Sequence, residues 1–395
     1  MEAHETEEDL DDQFDSMIKM NDPFLEILIP EGEPSIYSAI RYGDDDMVKR
    51  QIHEGVDLNR KFEGGIYKIK NNTMAHRMQT KCYSVLHLAA LHSSCQVIET
   101  LLDNGSDIDI LDEQHRTSLH FAIVACRTSV IKLLIAKGAN IDVQSSSGRS
   151  PLLESVINGS FDIAKILIEA GAQLDLVDTK GTSVLHQLSF NRDINLSMIQ
   201  LVLEKKGDPN IKNHKGGTPL MFAASLKRHF SVDLIKLLLQ YGADINLTDN
   251  NGRSAIHFAV EHKSTFKHLV NILFFLIQHG ASINTPDKSG KMVLDHAIKT
   301  MALSTVKCLL KADCPRNVSQ IMESPNIVYL CEQVPDFKHW LMEELYQPRS
   351  LMRLCRGTLR DCLSPANLTK LHLLDIPRQL QDFLLCKDLH GSMFS

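Results

Sequence analysis

The sequence predicts an all-α chain: a solenoid of about eight helix–turn–helix repeats, followed by a separate helical module near the C-terminus. Three observations predict it. A glycine-led phrase recurs at a period near 33 residues. A second phrase, rich in Ser/Thr, Leu, His and Ala, follows each glycine about a dozen residues later. The period then stops after Asn317, where a differently patterned stretch begins. A fixed period of this length is the mark of stacked supersecondary units, none of which can bury an apolar face alone.

In chain order, residues 1–34 form an acidic segment. Met1 to Asp15 holds eight carboxylates and no Lys or Arg, a composition that predicts no packed structure. Repeats are expected over residues 35–318. Their first phrase is led by Gly55, Gly105, Gly138, Gly171, Gly207, Gly242 and Gly280, as in Gly138-Ala139-Asn140-Ile141-Asp142. From Gly105 the spacings are 33, 33, 36, 35 and 38, and a further 33 reaches a degenerate last copy at Asp313. The 50 residues between Gly55 and Gly105 leave an insertion around residues 61–81, which is basic and carries Phe62 and Tyr67. A long loop of this kind is a candidate for contacting a partner.

The second phrase reads Ser84-Val85-Leu86-His87-Leu88-Ala89, Thr117-Ser118-Leu119-His120-Phe121-Ala122, Ser150-Pro151-Leu152-Leu153, Ser183-Val184-Leu185-His186, Thr218-Pro219-Leu220-Met221-Phe222-Ala223 and Ser254-Ala255-Ile256-His257-Phe258-Ala259. Weaker outer copies start at Ser35 and Met292. Each position has a physical reason. Ser or Thr suits a helix N-cap, and Pro151 and Pro219 suit a first turn whose N–H has no partner. Leu and Ala give a small apolar face for close helix approach. Runs such as Ile131-Lys132-Leu133-Leu134-Ile135 supply the second helix, and the glycine after it suits a left-handed C′ residue.

These phrases resemble the ankyrin repeat, whose hallmark is Thr-Pro-Leu-His-x-Ala at a 33-residue period. The resemblance covers some seven-tenths of the chain. It implies an ankyrin solenoid whose concave face, carrying the turns and first helices, binds another protein. It also implies that His87, His120, His186 and His257 are structural, each bonding the adjoining turn. Their recurrence once per repeat spaces them too widely to share a metal.

Residues 319–346 read as a helical spacer containing Trp340, the single tryptophan. In the next module, residues 347–390, a helical projection puts Leu351, Leu354, Cys355, Leu359 and Cys362 on one face and Arg349, Arg353, Arg356 and Arg360 on the other. The spacing Leu351-x-x-x-Cys355-x-x-x-Leu359 resembles the Elongin-binding box of the SOCS-box family. Leu371 to Leu384 resembles that family's cullin box, with Asp375 where the first proline is usual. The whole chain is similar to the ankyrin-repeat-and-SOCS-box family. That similarity implies a three-helix SOCS box in which Leu351, Leu354, Cys355 and Leu359 bind Elongin C. Leu374, Ile376, Pro377, Leu380 and Phe383 would then bind the cullin. It further implies a substrate receptor of a cullin-5-type ubiquitin ligase, with Elongin B/C, a cullin and its RING protein as partners and a target protein on the repeats.

Other functions find no support. A net charge of −7 opposes general nucleic-acid binding, and no apolar run reaches the roughly 18 residues of a membrane span. Nine irregularly spaced cysteines without a Cys-x-x-Cys pair suggest neither a disulfide framework nor a zinc cage, and point to a cytoplasmic or nuclear protein. No nucleotide-binding or hydrolase fingerprint occurs, so no catalytic residue, cofactor or metal is expected. The competing expectation is a non-degradative ankyrin scaffold whose tail caps the solenoid.

Overall fold

The computed structural model describes residues 25–28, 35–42, 44–63, 66–69, 82–191, 195–226, 231–261, 267–300, 302–312 and 318–346. The chain divides into two compact units, Met1–Thr179 and Lys180–Ser395.

The first unit opens with a strand, β1 (Leu25–Leu28), and continues with the helix pair α1 (Ser35–Tyr42) and α2 (Asp45–His53). Strands β2 (Phe62–Glu63), β3 (Ile66–Ile69) and β4 (Cys82–Tyr83) follow. Three further pairs complete the unit: α3 (Val85–His92) with α4 (Cys95–Asp103), α5 (Ser118–Val124) with α6 (Thr128–Ala136), and α7 (Pro151–Ile157) with α8 (Phe161–Glu169). Successive first helices pack on one another, α1 on α3, α3 on α5 and α5 on α7. Because each is also covered by its own second helix, Val85 to Leu91 are all buried along α3. The second helices bury one face only, as Val130, Ile131 and Leu134 do on α6. Burial of each such side chain is worth about 1.5–3 kcal/mol, and stacking repeats is what supplies it.

The acidic composition predicts no structure through residue 34, but β1 departs from that expectation. Leu25-Glu26-Ile27-Leu28 lies beyond the acidic run and is three-quarters apolar, with β-branched Ile27 at its centre. It pairs antiparallel with β3, Leu25 opposite Ile69 and Leu28 opposite Ile66. The insertion is likewise an extension of an inter-repeat turn. Phe62 pairs with Tyr83 and Glu63 with Cys82, so β2 and β4 form a finger at the place where later repeats have a tip of a few residues. Tyr83 is fully buried and meets the Tyr37 ring edge-on at 5.9 Å, which anchors the finger to α1.

The second unit contains α9 (Val184–Phe190) with α10 (Leu196–Glu204), α11 (Pro219–Ser225) with α12 (Ser231–Gln240), α13 (Ala255–Val260) with α14 (Lys267–Gln278), and α15 (Val293–Lys299) with α16 (Leu303–Lys311). Its first helices stack in the same way, α9 on α11, α11 on α13 and α13 on α15. The described residues thus hold eight helix pairs, four in each unit. Three more helices follow: α17 (Val318–Glu323), α18 (Pro325–Gln333) and α19 (Pro335–Tyr346). Helix α18 packs on α15. Trp340 stacks on Phe337 and receives Lys307 of α16 over its ring at 5.1 Å.

One repeat departs from the sequence register. The left-handed C′ residue is glycine at Gly105, Gly138, Gly171, Gly242 and Gly280, but in the fifth repeat it is Lys206, at φ 70°. Gly207 stands one position further on, where its N–H bonds the Val202 carbonyl as Ala139 and Ala172 bond Leu134 and Leu167. The glycine in that phrase is therefore displaced, and a side chain holds a conformation that costs L-residues about 1–2 kcal/mol.

Candidate protein-interaction surface

Each first helix begins with the same device, built from the Ser/Thr cap and the residue three positions on. His87 Nδ1 accepts from the Ser84 N–H at 3.1 Å, and His87 Nε2–H donates to the Arg116 carbonyl of the next turn at 2.9 Å. His120 repeats this with Thr117 (3.2 Å) and Arg149 (3.3 Å), and His186 with Ser183 (3.2 Å) and Gly217 (2.9 Å). Both nitrogens of these rings are engaged, so none offers a lone pair to a metal. The expected structural role is the one observed for these three. The fourth, His257, keeps the cap contacts to Ser254 at 3.1 Å and meets the His296 ring edge-on at 5.8 Å. Burial pushes the His87 and His257 imidazoles down to about 4, and lowers that of His120 as well.

The register itself does not demand histidine. Met221 takes its place after Thr218, and Leu153 after Ser150, where the Ser150 hydroxyl still accepts from the Leu153 N–H at 3.2 Å.

The turns before these helices are held by a carboxylate or amide. Asp112 accepts from the N–H groups of Gln114 and Arg116 and takes the Arg116 guanidinium on its other oxygen at 2.7 Å. Asp249 does the same for Asn251 and Arg253, and Arg253 also reaches Glu261 at 2.7 Å. Both arginines lie over the aromatic ring of the following helix, Arg116 over Phe121 and Arg253 over Phe258. Burial opposes the Arg253 charge, yet its bonds to Asp249 and Glu261 outweigh that and raise its pKa. Asp287 accepts from Ser289, Lys291 and the His296 Nε2; burial works against its charge, but these bonds hold it well below the usual carboxylate range.

Neighbouring turns are also joined to each other. Within the second unit His214 N–H donates to the Lys180 carbonyl, Asn250 to Lys215, and Lys288 to Asn251, at 2.8–3.1 Å. Close approach forces glycine here: a Cβ on Gly216, at φ 78°, would lie 2.6 Å from the Asn250 nitrogen. A second ladder runs along the Gly-Ala-Asp-Ile-Asn phrases. The fifth residue accepts from the N–H of the third residue one repeat later: Asn59 from Asp107, Asp109 from Asn140, Asp142 from Gln173, Asn210 from Asp244 and Asn246 from Ser282. Sequence reasoning quoted the recurring Asp/Asn of this phrase but assigned it no role. It also missed Arg127, whose guanidinium donates to the Ala89 and Ser93 carbonyls and so caps the C-terminal end of α3.

In each unit the result is a row of first helices edged by turns bonded to one another, a surface that presents side chains. The second predicted site lies elsewhere. Leu351, Leu354, Cys355 and Leu359, and Leu374, Ile376, Pro377, Leu380 and Phe383, all fall outside the described residues. Among the described residues, no helix is long and apolar enough to cross a membrane.

Comparison with known protein families agrees with this geometry. The ankyrin-repeat family model matches residues 35–145, 86–178, 124–196, 185–287 and 231–319, and the SOCS-box model matches residues 347–385. Among solved structures, the chain is similar to the ankyrin repeat domain of Bcl-3, described as a unique member of the IkappaB protein family. The two are 22% identical, with a TM-score of 0.49, and the match covers 62% of this chain and 99% of that one. None of the curated proteins matches the chain.

Proposed function

Since this chain belongs to the ankyrin-repeat family and carries a SOCS box at residues 347–385, we propose that it is the substrate-recognition subunit of an Elongin B/C–cullin ubiquitin ligase, of the cullin-5 type. The observation that carries the reading is the pairing of the two modules in one chain, a protein-binding array followed by a ligase-docking box. The repeats hold a target protein on the face of first helices and turns. In the box, Leu351, Leu354, Cys355 and Leu359 dock Elongin C, while Leu374, Ile376, Pro377, Leu380 and Phe383 meet the cullin. The chain itself is non-catalytic and acts in the cytoplasm or nucleus. Its contribution is proximity, since holding a target lysine near a charged E2 raises the effective concentration of the reacting pair.

The test is capture of purified Elongin B/C and the cullin–RING module by wild type and by the double variant Leu351→Pro, Cys355→Phe. Stoichiometric capture by wild type, lost in a variant whose repeats stay helical by circular dichroism, is the expected result. No capture by wild type would leave a scaffold without ligase function. Capture by a cullin other than cullin-5 would correct the type alone.

A further inference from the structure

The charge of the chain is unevenly placed. Residues 1–179 contain 16 Lys and Arg against 30 Asp and Glu, whereas residues 180–312 contain 17 against 9. A strongly basic half-array thus sits inside a protein of net charge −7. In the second unit four of these cations stand at the turn tips and the ends of first helices: Lys215, Lys288, Lys291 and Lys299, all exposed. None of these four has an ion-pair partner among the described residues.

Four carboxylates of the same face, by contrast, are occupied. Asp249 and Glu261 hold Arg253, Asp287 holds His296, and Asp295 accepts from the Met292 N–H at 2.8 Å. The lysine field is therefore not neutralised from within. Beside it lies apolar surface. Phe190 is 42% exposed at the end of α9 and meets the Phe222 ring edge-on at 6.1 Å, and Phe258 is half-buried on α13. At the far end, an open cleft of about 810 Å³ is lined by Lys291, His296 and Lys299, with Asp295, Glu323 and Asn326 among the remaining walls.

We propose that the turn-and-first-helix face of the second unit docks an acidic segment of a partner protein, one whose Asp and Glu residues are interspersed with large apolar side chains. This deepens, and rests on, the reading of the repeats as the target-binding surface. Carboxylates of the partner meet Lys215, Lys288, Lys291 and Lys299, and an apolar residue covers Phe190. The tips are already fixed to one another by backbone hydrogen bonds, so little ordering is needed on this side. Long-range attraction between an acidic segment and this field also speeds encounter. A protein segment fits better than a nucleic acid. Exposed Phe190 can take an apolar side chain, and the Asp295 and Glu323 carboxylates on the cleft walls can accept from peptide N–H groups, which a sugar–phosphate backbone does not offer.

Fluorescence anisotropy on the full chain tests this with three probes. They are a synthetic peptide alternating Asp/Glu with Leu and Phe, its Lys/Arg-substituted twin, and a single-stranded oligonucleotide of equal charge to the first. The acidic peptide should bind, and its affinity should fall at least about tenfold in K215E/K288E/K291E and on raising the salt. Phe190→Ala should weaken binding with little change in that salt dependence. Failure of the acidic peptide to bind, equal binding of its basic twin, or tighter binding of the oligonucleotide would each overturn the proposal. Circular dichroism confirms that the triple variant is folded. Its Elongin B/C capture should match wild type, so loss of peptide binding is separable from failure of the ligase reading.

Discussion

The histidine at the third helical position makes a quantitative prediction about acid. His87 is fully buried, and burial pushes its imidazole from 6.5 down to about 4. The chemistry gives the same direction: Nδ1 accepts the Ser84 N–H, and a protonated ring has no acceptor. The unfolded chain therefore takes up a proton near pH 6.5 that the folded chain refuses until about pH 4. The stability contributed by neutral His87 is complete above pH 6.5 and is lost as the pH falls toward 4. Between pH 7 and pH 5 that loss amounts to about 2 kcal/mol for this one residue. The comparison is with His87→Leu, a side chain the register accepts at Leu153. The variant should be less stable at pH 7 by about 2–4 kcal/mol, because it strands the Ser84 N–H and the Arg116 carbonyl in the interior. It should also lose about 2 kcal/mol less than wild type on acidification. Urea unfolding followed by circular dichroism at both pH values measures this, and an imidazole NMR titration reads the ring directly. A His87 resonance titrating near 6.5, or a variant with the wild-type dependence on pH, would refute the reasoning.

Three other outcomes are expected. Lys206→Gly should raise thermal stability by about 0.5–1 kcal/mol, since glycine relieves the left-handed strain at φ 70° and gives part of that back in unfolded-chain entropy; a fall in Tm would show that the lysine side chain is needed. Asn246→Ala removes the bonds to the Gly280 carbonyl and the Ser282 N–H, and should cost about 1–2 kcal/mol in urea unfolding with faster exchange of the Ser282 amide. Asp375→Pro should leave cullin recruitment unchanged or strengthen it in a pulldown, and a marked loss would mean that the second box is aligned differently.

The repeat was legible because stacking imposes the same demands on every copy. A Ser or Thr cap, a Leu, a small Ala and a C′ glycine recur because each unit must close its helix ends and meet its neighbours. What period alone could not show was where one copy departs from the rest. Gly207 looked like the C′ glycine, yet the chain places Lys206 there. The insertion looked like a loop because no periodicity marks a two-residue strand such as Phe62–Glu63. β1 was hidden for another reason: strand pairing depends on a partner forty residues away in sequence, and the acidic composition in front of it outweighed four apolar-rich residues. The basic field of the second unit was equally invisible in the overall charge, because the acidic first unit more than cancels it.

These features bear on how the proposed receptor selects a target. Along the second unit the same turn position carries Asn213, Asp249 and Asp287, each consumed in holding its own turn together. Once those side chains are committed internally, the charge that remains for a partner is that of the lysines on this face, with Lys215 two residues from Asn213 and Lys288 next to Asp287. Fixing the turn and setting the sign of the recognition surface are thus a single arrangement. A substitution that frees a carboxylate, such as Arg253→Ala beside Asp249 and Glu261, disturbs both. It exposes negative charge on the docking face while loosening the turn that positions the next lysine. Selectivity on such a platform lies in which side chains the scaffold leaves unpaired, and the scaffold's own hydrogen bonds determine that.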